Sequence, residues 1–195
     1  MTDAATPDSR PRPPLPRPGR GADKARMDEI LRVDHTGEYA AVLIYRAQKA
    51  VFEGRKAHGG VVRDLGEMQD QEAVHLARFE RLLTERRVRP TVMTPLWRIA
   101  ASALGAGTAL MGEKAAHACT EAVESVIEKH YAEQIAEIGE RDPALAAELK
   151  QFRDEELAHH DHAIEHGSRE APAYRLLSGV IKAGCRVAIK VSEKV

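Results

Sequence analysis

Two Glu-x-x-His steps are the residues best able to do chemistry in this chain: Glu72-Ala73-Val74-His75 and Glu156-Leu157-Ala158-His159. Residues i and i+3 share a helix face, so each step can aim one oxygen and one nitrogen at a common point. A lone glutamate precedes each step at nearly the same distance, Glu38 by 34 residues and Glu124 by 32. One Glu from each of two helices, with a Glu-x-x-His from each of two others, is a ligand set for two metal ions between four helices. Carboxylates and imidazoles suit Fe(II) and Mn(II). Four carboxylates also neutralise two divalent ions, which avoids burying uncompensated charge. The plainer alternative is a polar, solvated helix face. Chance alone supplies roughly one Glu-x-x-His in a chain this rich in Glu and His, so the matched upstream spacing is what favours the metal reading.

The neighbours of these six residues extend the pattern. His160 lies four residues after Glu156 and competes with His159; the parallel with Glu72 and His75 favours His159. Glu155 is rotated about one position off the ligand face. Asp34, four residues before Glu38, is either a surface acid or the partner of a ligand histidine's second ring nitrogen. His35 shares that ambiguity. Tyr45 and Tyr131 each follow their glutamate, Glu38 and Glu124, by seven residues and so share its face. Tyr131 is the catalytic candidate, placed to touch substrate or relay an electron or proton, with core packing as the alternative. Tyr45 is the weaker of the two. His117, four residues from both Glu113 and Glu121, reads as part of a solvated cluster.

These residues need long helices to position them, and the chain supplies little else. Ala, Glu, Leu, Arg and Lys dominate, all good helix formers. Turn residues divide the sequence into helices near 26–53, 61–87, 95–139, 143–167 and 172–193. Thr94-Pro95 and Asp142-Pro143 read as an N-cap followed by Pro at the first helical position. A straight helix over 95–139 would be about 68 Å long, far beyond its neighbours, so Gly105, Gly107 and Gly112 are the expected break. The prediction is an all-α fold: a four-helix bundle with two additional short helices, one apolar (95–111) and one amphipathic (172–193). Residues 96–111 hold a single charge, Arg98, and form either a buried core helix or an interfacial segment that dips into a bilayer. In the last helix Lys182, Arg186 and Lys190 recur every four residues beside Leu177, Val180, Ile181, Ala188 and Val191.

A length of 195 residues suits one domain, and a net charge of −1 gives no argument for nucleic acid. The charge is uneven: Arg175, Lys182, Arg186, Lys190 and Lys194 face Glu193 alone in the last segment. A basic C-terminal helix on an acidic body suits an anionic surface. Cys119 and Cys185 are the only cysteines, which argues against thiolate metal sites. No apolar run approaches the roughly 20 residues of a spanning helix. Residues 1–24 read as a disordered Pro/Arg-rich tail whose prolines prevent an amphipathic targeting helix. The folded domain is expected over 25–195, in a bacterial protein of the cytosolic face.

Longer motifs carry a resemblance. Arg32-Val33-Asp34-His35-x-Gly37-Glu38-Tyr39, Asp70-Gln71-Glu72-x-x-His75 and Arg87-Val88-Arg89-Pro90-Thr91-Val92 are three of them. Pro95-Leu96-Trp97, the run Ala103 to Leu110, and Phe152-Arg153-Asp154-Glu155-Glu156-Leu157-x-His159-His160-Asp161 are three more. Ala171-Pro172-Ala173-Tyr174 and the run Ala183 to Ile189 complete the set. Over residues 26–194 the chain resembles the di-iron demethoxyubiquinone hydroxylase family of ubiquinone biosynthesis, within the ferritin-like superfamily. The connections Gly54–Val62 and Gly139–Leu149 differ in length.

The resemblance implies a ferritin-like bundle holding two iron ions per chain, Fe2+ when reduced, with Glu72 and Glu156 as bridges. It implies a monooxygenase that uses O2 to hydroxylate a polyprenylated benzoquinol. It further implies peripheral attachment to the cytoplasmic side of the cell membrane. A second copy of the chain and other ubiquinone-biosynthesis proteins are candidate partners. The competing readings are an iron-storage or peroxide-scavenging bundle and a metal-free helical interaction module.

Overall fold

A computed structural model of the chain describes residues 20–53 and 58–195. Six helices account for most of them: α1 Arg20–Phe52, α2 Gly59–Arg86, α3 Thr94–Leu110, α4 Glu113–Ile138, α5 Pro143–Glu165 and α6 Tyr174–Lys194. A short 3-10 turn, Ser168–Glu170, precedes α6. No strand occurs among the described residues. The four long helices and two shorter ones match the expected architecture. α1 starts at Arg20, inside the predicted tail, whose residues 1–19 lie outside those described.

Two punctuation readings change. Asp142 does cap α5, its side chain accepting from Leu145 N at 3.1 Å. Thr94 is the first residue of α3 rather than its cap, and its hydroxyl donates to the Thr91 carbonyl at 2.8 Å. Of the three glycines expected to break the third segment, only Gly112 does so, with φ +113°. Gly105 and Gly107 lie inside α3. Gly105 has a different use: a Cβ there would collide with the Ile44 carbonyl, so glycine lets the α3 and α1 backbones touch.

The bundle pairs α1 with α2 and α4 with α5, and α3 and α6 pack on the α1 and α4 sides. Two apolar clusters are the largest of those that fill it. One joins Ile30, Leu31, Phe79, Leu82, Tyr131, Leu149 and Phe152. The other joins Tyr45, Phe52, Val61, Leu65, Met68 and Ala116. In chain order every long helix passes its Glu or Glu-x-x-His between or beside these clusters, so the polar layer sits in an apolar sleeve.

α6 is tied down at both ends. At its start Glu121, buried on α4, accepts hydrogen bonds from Ser168 Oγ and from Tyr174 Oη, the latter at 2.6 Å, with Arg169 Nε at 3.4 Å. Burial alone would raise this carboxyl; the two hydrogen bonds and the Arg169 charge hold it below its usual range. At its end Arg32 Nη1 donates to the Glu193 carbonyl at 3.0 Å, a cation at the negative end of a helix. Trp97 Nε1 of α3 donates to Ser192 Oγ of α6 at 3.1 Å.

α3 is not a buried core helix. Only Ala101, Gly105, Thr108 and Ala109 are buried, while Ile99 and Leu110 are 65% and 72% exposed. On α6, Leu176, Val180 and Val187 are exposed as well.

Candidate metal centre

The six candidate ligands converge. Glu38, Glu72, His75 and Glu156 each offer a donor atom within 4.8 Å of the others, and Glu72, Glu124, Glu156 and His159 do the same. Glu72 and Glu156 belong to both groups, which is the position of a bridging carboxylate. Glu38 with His75 and Glu124 with His159 complete the two ends.

All six residues are buried. His75 Nδ1 lies 3.2 Å from Glu156 Oε1 and 3.4 Å from Glu38 Oε2. His159 Nδ1 lies 3.1 Å from Glu72 Oε1. Eight atoms have no hydrogen-bond partner among the described residues: one oxygen each of Glu38 and Glu124, both of Glu72 and Glu156, and the two Nδ1. Leaving such groups unsatisfied costs about 1–3 kcal/mol each. Two cations between them would satisfy the set at once, so these residues fit a dimetal centre.

Without metal the cluster must hold protons. Burial pushes Glu38, Glu72 and Glu124 above the usual carboxylate range, and neighbouring carboxylates add to it. Burial would lower His159, but contacts with Glu156 and Glu72 raise it to about 9. His75 is raised in the same way by Glu156, Glu38 and Glu72. Metal ions would compete with these protons.

The second ring nitrogens are held crosswise. His75 on α2 has Nε2 2.5 Å from Glu155 Oε2 on α5. His159 on α5 has Nε2 2.6 Å from Gln71 Oε1 on α2. Each histidine is therefore steadied by the residue just before the Glu that the other helix contributes to both groups. Neither reading of Asp34 holds: it is buried rather than a surface acid, and it does not partner a ligand histidine. Its Oδ1 accepts from Gln134 Nε2 at 2.7 Å, with His130 beside it, and burial lifts its carboxyl to about 8. Glu155 is likewise no bystander, because the turn that rotates it off its own helix's ligand face points it at α2. Gln71 was missed; its only signal is the matched register of Gln71-Glu72 and Glu155-Glu156.

The tyrosines also cross. Tyr131 donates to Glu38, and Tyr45 donates to Glu124. Each reaches the glutamate of the other helix rather than its own. His160 stays outside, with Nδ1 2.9 Å from Asp161. His35 is buried against Tyr39 and takes no part. His117, expected in a solvated cluster, is buried.

A largely apolar cleft of about 590 Å³ opens beside this centre, walled by α1, α3, α4 and α6. Glu38 and Tyr131 line it, as do Ile44, Trp97, Leu104 and Ile181. Its titratable side chains are Asp34, Glu38, His130, Tyr131 and Cys185. Glu124, His159 and Tyr45 are not on its walls.

The chain is 51% identical over 178 residues to a protein of Rhodospirillum rubrum named 3-demethoxyubiquinol 3-hydroxylase, covering 91% of this chain and 82% of that one. It is 51% identical over 175 residues to the human NADPH-dependent 3-demethoxyubiquinone 3-hydroxylase, mitochondrial, covering 88% of this chain and 79% of that one. The yeast 5-demethoxyubiquinone hydroxylase, mitochondrial, is 42% identical over 189 residues, covering 89% and 80%. The family described as ubiquinone biosynthesis protein COQ7 matches residues 25–192. With its paired Glu-x-x-His donors buried between four helices, the chain belongs to the COQ7 family of ubiquinone biosynthesis proteins.

Proposed function

We propose that this chain is a di-iron monooxygenase that hydroxylates the ring of a polyprenylated demethoxyubiquinol. The observation that carries this reading is the apolar cleft ending on Glu38 and Tyr131, at the edge of two fused carboxylate–histidine donor sets. Glu38 and His75 would hold one ion, Glu124 and His159 the other, and Glu72 and Glu156 would bridge them. Bound ferrous ions supply the activation of O2. One oxygen atom enters the ring and the other leaves as water, which consumes two electrons and two protons from outside the chain. The names of the mammalian relatives assign NADPH dependence to those proteins.

The protein's own share is positioning. Val33, Ile44, Leu104 and Ile127 exclude water from the ring. Tyr131 fixes Glu38 through its hydroxyl while facing the cleft, and so stands between metal and substrate. Storage of iron or removal of peroxide needs no apolar cleft of this size, which disfavours that alternative.

The substrate's prenyl tail accounts for the exposed apolar residues. No helix of the described chain is long and apolar enough to cross a membrane. Ile99 and Leu110 of α3 and Leu176 and Val180 of α6 instead offer an apolar face near the cleft, with Arg186 and Lys190 exposed close by. This supports peripheral attachment to an anionic bilayer, each basic side chain contributing about 1 kcal/mol.

The deciding experiment supplies Fe2+, O2, a reductant and a demethoxyubiquinol, and follows the product by mass. A gain of one oxygen atom, derived from labelled O2, is the expected result. Unchanged quinol with rapid peroxide consumption would favour the scavenging alternative. Replacing Ile99 and Leu110 with Ser should weaken sedimentation with anionic liposomes while leaving iron content intact.

A further inference from the structure

A second group of metal donors lies one turn beyond His159, outside the buried cluster. His162 on α5 and His166, the residue that caps its C-terminus, follow His159 by three and seven positions, and Asp64 of α2 faces His162. One atom from each of Asp64, His162 and His166 lies within 4.8 Å of the other two.

The hydrogen bonds leave imidazole lone pairs free within this group. His166 Nδ1 is 2.8 Å from the His162 carbonyl. A carbonyl only accepts, so Nδ1 carries the proton and Nε2 keeps its lone pair. His162 Nε2 is shut off from solvent and has no hydrogen-bond partner among the described residues. It lies 3.6 Å from Asp64 Oδ2. That gap exceeds the roughly 3 Å of a hydrogen bond. It suits two donors each about 2.1 Å from a shared ion. Arg63 Nη2 holds the other carboxylate oxygen, Oδ1, at 3.1 Å, which leaves Oδ2 for the site.

The surroundings suit a cation that arrives from water. The buried His117 of α4 closes the back, its ring 5.3 Å from that of His166 and 6.0 Å from that of His162. Asp64, His117 and His166 line a polar cleft of about 300 Å³ that gives an approach from solvent. None of these residues lines the apolar cleft.

We propose that Asp64, His162 and His166 form a second, peripheral site for a divalent transition-metal ion. Two imidazoles and one carboxylate are a donor set for Fe(II) or Zn(II) with open positions left for water. The site differs from the buried centre in having one carboxylate rather than four, and in being open.

Zn2+ is the probe. The full-length protein, with its central metals in place, is equilibrated with Zn2+, washed and analysed for all metals. Affinity is read by competition with a chromophoric chelator. Wild type should take up one added Zn2+ per chain with no loss of central metal. The double substitution His162→Ala/His166→Ala should weaken that uptake about 100-fold or more, with the central metals retained. His166→Ala alone, at an exposed position, should weaken it about 10-fold and guards against misfolding of the double variant. Equal uptake by wild type and the double variant would overturn the proposal. So would the absence of added Zn2+, or uptake matched by loss of central metal.

Discussion

Around His75 the buried cluster leans on a carboxylate and borders an apolar cleft; around His159 it leans on an amide and stays off that cleft. The donors are the same in both halves, one terminal Glu, one His and two shared Glu. What differs is the second layer. Glu155 gives His75 a charged acceptor, whereas Gln71 gives His159 a neutral one. Hydrogen bonds to a charged acceptor are roughly twice as strong as neutral ones. Tyr131 and Glu38 meet the cleft, while Tyr45 and Glu124 do not. Duplicated spacing thus sets where the donors stand, and unduplicated neighbours decide which end meets the cleft.

At the two shared glutamates the halves should not differ at all. Glu72→Ala and Glu156→Ala should each lose most of the bound iron, because each residue belongs to both donor sets. Elemental analysis that finds full iron in either variant would end the dimetal assignment. Glu38→Ala and Glu124→Ala should each weaken one end more than the other.

Next come the residues behind the histidines. Glu155→Ala and Gln71→Ala should each weaken metal binding by about 10- to 100-fold, with the larger loss at Glu155. Equal losses, read by chelator competition, would mean that charge behind the histidine is irrelevant.

Titration separates the metal-free from the loaded protein. The raised carboxylates and histidines mean that the folded apoprotein holds protons which the unfolded chain releases. Its stability should therefore fall as pH rises from the unfolded carboxyl value of about 4.3 towards the His159 value of about 9. Thermal melts at several pH values should show this slope in apoprotein and a flatter one in loaded protein. A melting temperature that rises with pH in apoprotein would contradict the proton-filled cluster.

The smallest expected effects are at the tyrosines. Tyr131→Phe and Tyr45→Phe should both keep iron. Only Tyr131→Phe should slow quinol hydroxylation, since only Tyr131 borders the cleft. Equal rates in the two variants would remove the functional difference between the halves.

Much of the centre was legible because a helix repeats its faces. Glu72 with His75 and Glu156 with His159 stood out by their i,i+3 spacing together with the matched upstream Glu38 and Glu124, and His160 lies outside both groups. Contacts between helices were not legible. A seven-residue step keeps Tyr131 on the Glu124 face but sets it about 10 Å along the axis, out of reach of that carboxylate. It meets Glu38 instead, because the offset between α1 and α4 brings them level. Asp34 fails for the same reason, its distance from Glu38 being known and its depth against α4 unknown. Exposure of α3 was open as well, since apolar composition is the same for a core helix and for one awaiting a lipid surface.

Gly105 has a mechanical consequence. With no side chain between them, the α3 and α1 backbones meet directly at Ile44. A contact of this kind has no rotamer that can swing to absorb a push. Ile44 lies six residues, under two turns, from Glu38 on the same helix. A push on the outer apolar face of α3 therefore meets, at Gly105, the backbone of the helix that carries Glu38 with no side chain between.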